Sequence, residues 1–188
     1  VGTAFFHEDD YCQVEVLPAS ARDYCLAEMG RIDEFAAAHW DGVGFTAMYA
    51  RGEPAVPLAS LGTSLTEWDS ALGPLAPRFT QVLTGYSSHR EPCSSVVGWG
   101  FSDGEAVFAA IGEGNGVGPV WLSLDGVTAE RVGVWSHLLR SLPHAEELLL
   151  ADWNASQVVL LADEPALEAY LRGEPNAQPS AAADRGGM

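Results

Sequence analysis

From Tyr11 to Pro18 the chain alternates, with Cys12, Val14 and Val16 on one side and Tyr11, Gln13 and Glu15 on the other. A period of two predicts a half-buried strand. Phe5-Phe6 predicts a short strand before it, with Glu8-Asp9-Asp10 as the turn between them. The period then changes. Cys25, Met29, Ile32, Phe35, Ala36 and His39 recur at helical spacing, behind Ser20 with Asp23 three residues on and ahead of Gly42. That combination predicts a helix opened by a capping-box-like pair and closed by glycine.

Residues 42–62 are rich in Gly and Pro and predict one short strand near Phe45–Tyr49 followed by loop. Ser64 with Glu67 predicts the next helix, with Leu65, Trp68 and Leu72 inward and Gly73-Pro74 as its break. Pro77–Leu83 reads as a second helical piece, and 85–95 as a loop. Beyond it the chain turns β-rich. Val96–Phe101 and Glu105–Ile111 flank Ser102-Asp103-Gly104, a hairpin signal. Val120–Leu124 predicts a further strand. Thr128 opens a third helix with Val132, Trp135, Leu139 and Leu142 as its buried stripe. Leu148–Trp153 and Gln157–Ala162 predict a second hairpin. Asp163 with Pro165 starts a last helix, with Leu167, Tyr170 and Leu171 inside and Gly173 at its end. Strands joined by tight turns, with helices grouped between them, predict an α+β domain over 1–173. The expected architecture is a mainly antiparallel sheet of five to seven strands with three to four helices. Residues 174–188 are small and polar and predict a flexible tail.

Charge narrows the functional classes. The chain of 188 residues carries a formal net charge of −17, with no lysine and nine arginines against 26 acidic residues. Nothing here could neutralise many phosphates, which argues against nucleic acid. The same sign argues against anionic membranes, and no apolar run approaches the ~18 residues of a membrane span. A basic protein would be attracted and steered to this surface, although acidity can also serve solubility alone. A lysine-free chain leaning to Ala, Gly and Arg suggests a GC-rich bacterial genome. The three cysteines, Cys12, Cys25 and Cys93, are too sparse for a disulfide framework, and a reducing cytoplasm is the expected compartment.

The candidate chemistry is thin. His7-Glu8-Asp9-Asp10 is contiguous, so its side chains cannot all converge on one ion, and no HExxH is present. No metal is expected; a solvated turn or an acidic contact patch remain as readings. Cys93 is the one nucleophile near a base, with His89 four residues away and Arg90 able to favour a thiolate, but no catalytic signature surrounds it. A thiol-dependent hydrolase or transferase is therefore the alternative to a binding role. Gly112–Pro119 (GEGNGVGP) is neither GxGxxG nor a P-loop, and without lysine no Walker A site can form. No cofactor is expected. The six tryptophans are spread along the chain; most should be core, and an exposed one would serve as a contact anchor.

In size, acidity and α+β character, with the acidic segments at 7–10 and 146–147, the chain resembles the immunity proteins of bacterial toxin systems. The resemblance covers the chain only as an overall profile. It implies a cognate toxin as the basic partner, bound so that the toxin's active site or substrate path is blocked. The expected contact charges are Glu8, Asp9, Asp10, Asp103, Glu105 and Glu113, with Tyr11 and Tyr86 as anchors.

Overall fold

The structure is a computed structural model that describes residues 2–174 apart from 53, 55 and 87. The described residues form nine strands and four α-helices. In chain order these are β1 (Thr3–Phe5), β2 (Val14–Pro18), α1 (Arg22–His39), α2 (Leu65–Leu72), β3 (Gln81–Tyr86) and β4 (His89–Pro92). There follow β5 (Val96–Ser102), β6 (Glu105–Ile111), β7 (Val117–Ser123), α3 (Val132–Arg140), β8 (Leu148–Asp152), β9 (Gln157–Leu160) and α4 (Glu164–Leu171). Six strands form an antiparallel sheet in the order β5-β6-β7-β2-β8-β9, and β1, β3 and β4 form a smaller one. The protein is α+β with a mainly antiparallel sheet. The tail expected over 174–188 lies, but for Glu174, outside the described residues.

The large sheet is covered on both faces. On one, Val16, Val107, Val120, Leu148, Leu150 and Val159 pack against α2, α3 and α4. On the other, alternate residues of the same strands divide between two covers. Leu17, Leu149, Ala151 and Val158 meet α1 through Cys25 and Met29. Ala106, Phe108 and Trp121 meet the small sheet through Ala4 and Val82 and its flanking residues Phe6 and Phe79. Strand β2 lies at the centre, between β7 and β8, so its residues 15–18 are all buried rather than half-buried. Glu15 therefore points inward, although an alternating pattern assigns it to solvent. The strand also starts later than the pattern indicates. Tyr11–Gln13 form a turn, and Cys12 takes a left-handed conformation at φ 55°.

Local motifs are realised unevenly. Ser64 and Glu67 make the full capping box at the start of α2. Ser20 does not cap; it lies in a short 3-10 turn, and α1 begins two residues later without a side-chain cap. The hairpins at 96–111 and 148–160 form as the alternation predicts, and Asp163 caps α4 through the Ala166 N–H at 3.1 Å. Three readings fail. Phe45–Tyr49 is no strand and contributes only an isolated bridge between Phe45 and Trp40. Pro77–Leu83 is not helical; its second half opens β3 and pairs in parallel with β1. Residues 89–92 are not loop but the partner strand of that β3. In each of the last two, pairing with a segment far away in sequence overrides local pattern.

The arginines are largely spent inside the fold. Trp153 donates its indole N–H to Glu15 at 3.3 Å, while Arg51 pairs with Glu15 and stacks on the Trp153 ring at 3.9 Å. Trp135 donates to Glu105 at 3.3 Å, while Arg131 pairs with Glu105 and stacks on Phe101 at 4.1 Å. Trp99 donates to Asp69 at 2.9 Å, and Arg78 both pairs with Asp69 and lies over the Trp99 ring. A planar guanidinium can stack and pair at once, which an ammonium does poorly. These three units hold Glu15, Glu105 and Asp69 against tryptophans and commit one arginine to each.

Candidate partner-binding surface

Sheet register decides which turns are neighbours. Glu15 pairs with Trp121, Ala106 with Ser123, and Val14 with Asp152. The start of β2, the start of β6 and the ends of β7 and β8 therefore share one end of the large sheet. Each connection there carries an aspartate for a local reason. Asp103 stands in the two-residue turn between β5 and β6 and accepts the Phe5 N–H at 3.0 Å. Asp125 follows β7 in an Asp-Gly turn. Asp152 accepts the N–H groups of Asn154 and Ala155, and the Tyr170 hydroxyl at 2.8 Å. Because Phe5 is tied to Asp103, the segment after β1 is delivered to the same end.

That segment is His7-Glu8-Asp9-Asp10. Glu8–Asp10 form a 3-10 turn whose residues are all exposed, and His7 caps it by accepting the Asp9 N–H at Nδ1 (3.2 Å). The Tyr86 ring stands edge-on against His7, with centroids 5.0 Å apart. The carboxylates of Glu8 and Asp9 push the Tyr86 phenol above its ordinary pKa. Tyr11 lies on Trp121 at 4.7 Å, one half of its surface open. Two clefts, of about 400 and 160 Å³, run along this end and share Asp10, Ser123 and Asp125. Asp103 borders one, and Asp152 and Tyr170 the other.

Glu8, Asp9, Asp10, Tyr11, Tyr86 and Asp103 are thus brought together. Among the described residues no arginine forms an ion pair with these carboxylates or with Asp125. Arg90, stacked on Phe5 at 3.9 Å, stands at the rim. Two expected contact charges are elsewhere. Glu105 is buried, held by Arg131 and Trp135, because it is the first inward residue after the turn and not part of the turn. Glu113 is exposed beyond the far end of β6, so the whole length of that strand, about 20 Å at ~3.3 Å per residue, separates it from the Asp103 turn. Two members of the cluster, Asp125 and Asp152, escape sequence reading. Asp125-Gly126 is a turn signal in the sequence, but its neighbours depend on register between strands distant in sequence.

His89 and Cys93 do not form a pair. His89 is exposed on β4, its Nε2 4.0 Å from Glu91, and Cys93 follows the strand with its Sγ 3.5 Å from the Ser95 hydroxyl. Four extended residues separate them by about 13 Å, beyond hydrogen-bond reach. The remaining thiols are buried. Burial, with the nearby Glu15 charge, pushes Cys12 up to about 12 and Cys25 up to about 11, so neither is a thiolate at neutral pH. Among the described residues no three His, Cys, Asp or Glu side chains are grouped to hold a metal ion.

Comparison with protein-family models, with curated proteins and with solved structures gives no match. The described helices include none long and apolar enough to cross a membrane.

Proposed function

We propose that this chain is a binding protein that captures and neutralises a basic protein, and that the partner is the toxin of a bacterial toxin system. The observation that carries the reading is the uncompensated acidic end of the sheet. Carboxylates from the 7–10 turn, the Asp103 turn and the Asp125 turn face one region, while Arg31, Arg51, Arg78, Arg131, Arg140 and Arg172 pair with other carboxylates and Arg90 stands only at the rim. Such a field speeds encounter with an oppositely charged surface, and tyrosines at its edge supply contact area at little entropic cost. An immunity protein works by this route: charge brings the toxin in, and the bound surface then blocks the toxin's substrate path. The clefts between the aspartates are suited to arginine or lysine side chains of the partner.

The test is capture of the partner from the source cells, followed by association kinetics at about 50 and 300 mM salt. The expected partner is basic, with an association rate that falls at least about tenfold across that range. The triple variant Glu8→Gln, Asp9→Asn, Asp10→Asn should lower the rate at low salt and flatten its salt dependence. An acidic partner, or association indifferent to salt, would overturn the proposal.

A further inference from the structure

We infer that the turn after α1 is an apolar wedge that anchors the chain in a cleft of its basic partner, next to the acidic end; this rests on the basic-partner reading above. Trp40 is 53 %, Phe45 63 %, Val43 92 % and Met48 96 % exposed, in a protein whose other five tryptophans are buried. Large apolar side chains so fully in water, two of them in contact with each other, mark an interaction site. Trp, Phe and Met are also the residue types enriched in interface centres.

The turn is held in shape rather than trailing. Asp41 accepts the N–H groups of Val43 and Gly44, each at 2.9 Å, and donates its own N–H to the Gly44 carbonyl at 3.2 Å. Thr46 donates its N–H (2.9 Å) and its hydroxyl (3.1 Å) to the His39 carbonyl. Trp40 and Phe45 meet edge to face at 5.1 Å, and His39 stacks on Phe35 at 3.9 Å behind them. A wedge fixed before binding loses less entropy on docking.

Its position chooses the occupant. The Ser156 hydroxyl, in the β8–β9 turn beside Asp152, bonds Asp33 of α1 at 3.2 Å. Trp40 is seven residues further on, so α1 carries the wedge about 10 Å past the sheet at ~1.5 Å per residue, at the end where the aspartates gather. A lipid surface is disfavoured, because the net charge of −17 is repelled by anionic headgroups. A second copy is disfavoured, because joining two wedges would press two acidic ends together. The complement is a protein surface with an apolar cleft bordered by arginine or lysine.

Trp40 provides its own signal, since its exposed indole dominates the red edge of the emission spectrum. Two synthetic probes separate wedge from charge: an amphipathic leucine–arginine helix of about eighteen residues, and a glycine–arginine peptide of equal charge. The expected result is that the amphipathic helix blue-shifts Trp40 emission and binds about tenfold tighter. Trp40→Ala with Phe45→Ala should abolish that preference, leaving the glycine–arginine affinity and the melting temperature unchanged. Equal affinity for the two peptides, or a preference that survives the double variant, overturns the wedge and spares the basic-partner reading. Failure of both peptides to bind overturns both. Binding to zwitterionic vesicles, or dimerisation in sedimentation, that is lost in the double variant also overturns the wedge.

Discussion

Glu15 sits among residues whose alternation assigns it to water, yet only 7 % of it is exposed. What makes its burial tolerable is non-local: Arg51 from the loop before α2 and Trp153 from the end of β8. No short-range pattern encodes two partners so far away in sequence, which is why the candidate contact charges read from sequence included Glu105, a second carboxylate of the same kind. Burial raises the Glu15 pKa above its ordinary 4.5, and the Arg51 charge and the Trp153 N–H oppose the shift without cancelling it. A raised carboxylate contributes its stability below its unfolded value and loses it as pH climbs through the folded value. Glu15→Gln keeps an acceptor for Trp153 and cannot ionise; the orphaned Arg51 then adds a cost that does not vary with pH in this range. The melting temperature of the parent minus that of the variant should therefore fall from pH 4 to pH 7. A difference that grows with pH would mean that Arg51 dominates and the carboxylate is depressed.

Helix starts show why some elements are readable and others are not. Three sequence positions carry an N-cap signal of the same kind: Ser20, Ser64 and Thr128. Only Ser64 uses it, accepting the Glu67 N–H at 3.3 Å while Glu67 reaches back to the Ser64 N–H at 2.7 Å. Ser20 lies within a 3-10 turn that runs into its helix and Thr128 stands before another, so their side chains are a turn away from the groups a cap would serve. Sequence alone separates these cases poorly, because the difference is one of backbone entry angle. Ser64→Ala should cost about 1 kcal/mol, the usual loss for a cap, and about 2–4 °C of melting temperature for a domain this size. Thr128→Ala should be close to neutral. Equal losses at the two sites, measured by thermal unfolding, would contradict this assignment. Sheet elements follow the same logic. Hairpins closed by Asp103-Gly104 or by 153–156 are local and legible, whereas β3 takes its strand form from β1, some 80 residues earlier, and reads as helix on its own.

At the scale of the molecule, charge and topology act together. The sequence shows a net charge of −17 but not where it collects. The antiparallel order β6-β7-β2-β8 brings the Asp103, Asp125 and Asp152 turns to one end, and the Phe5–Asp103 bond adds the 7–10 turn to it. Like charges gathered with no arginine paired to them raise the energy of the folded state, since the unfolded chain can spread them apart. Salt screens that repulsion over about 10 Å at 0.1 M. Raising sodium chloride from about 20 to 500 mM should therefore raise the melting temperature. Asp9→Asn, Asp10→Asn and Asp125→Asn together should raise it at low salt and remove much of the salt effect, because each change deletes a charge while keeping a side-chain oxygen. The same triple variant should capture the basic partner more slowly. Gain of stability with loss of association is the signature of a cluster kept for binding at a cost to the fold. If the variant is no more stable than the parent at low salt, the carboxylates are solvated independently of one another, and the acidic end is not the focused field that the partner is proposed to follow.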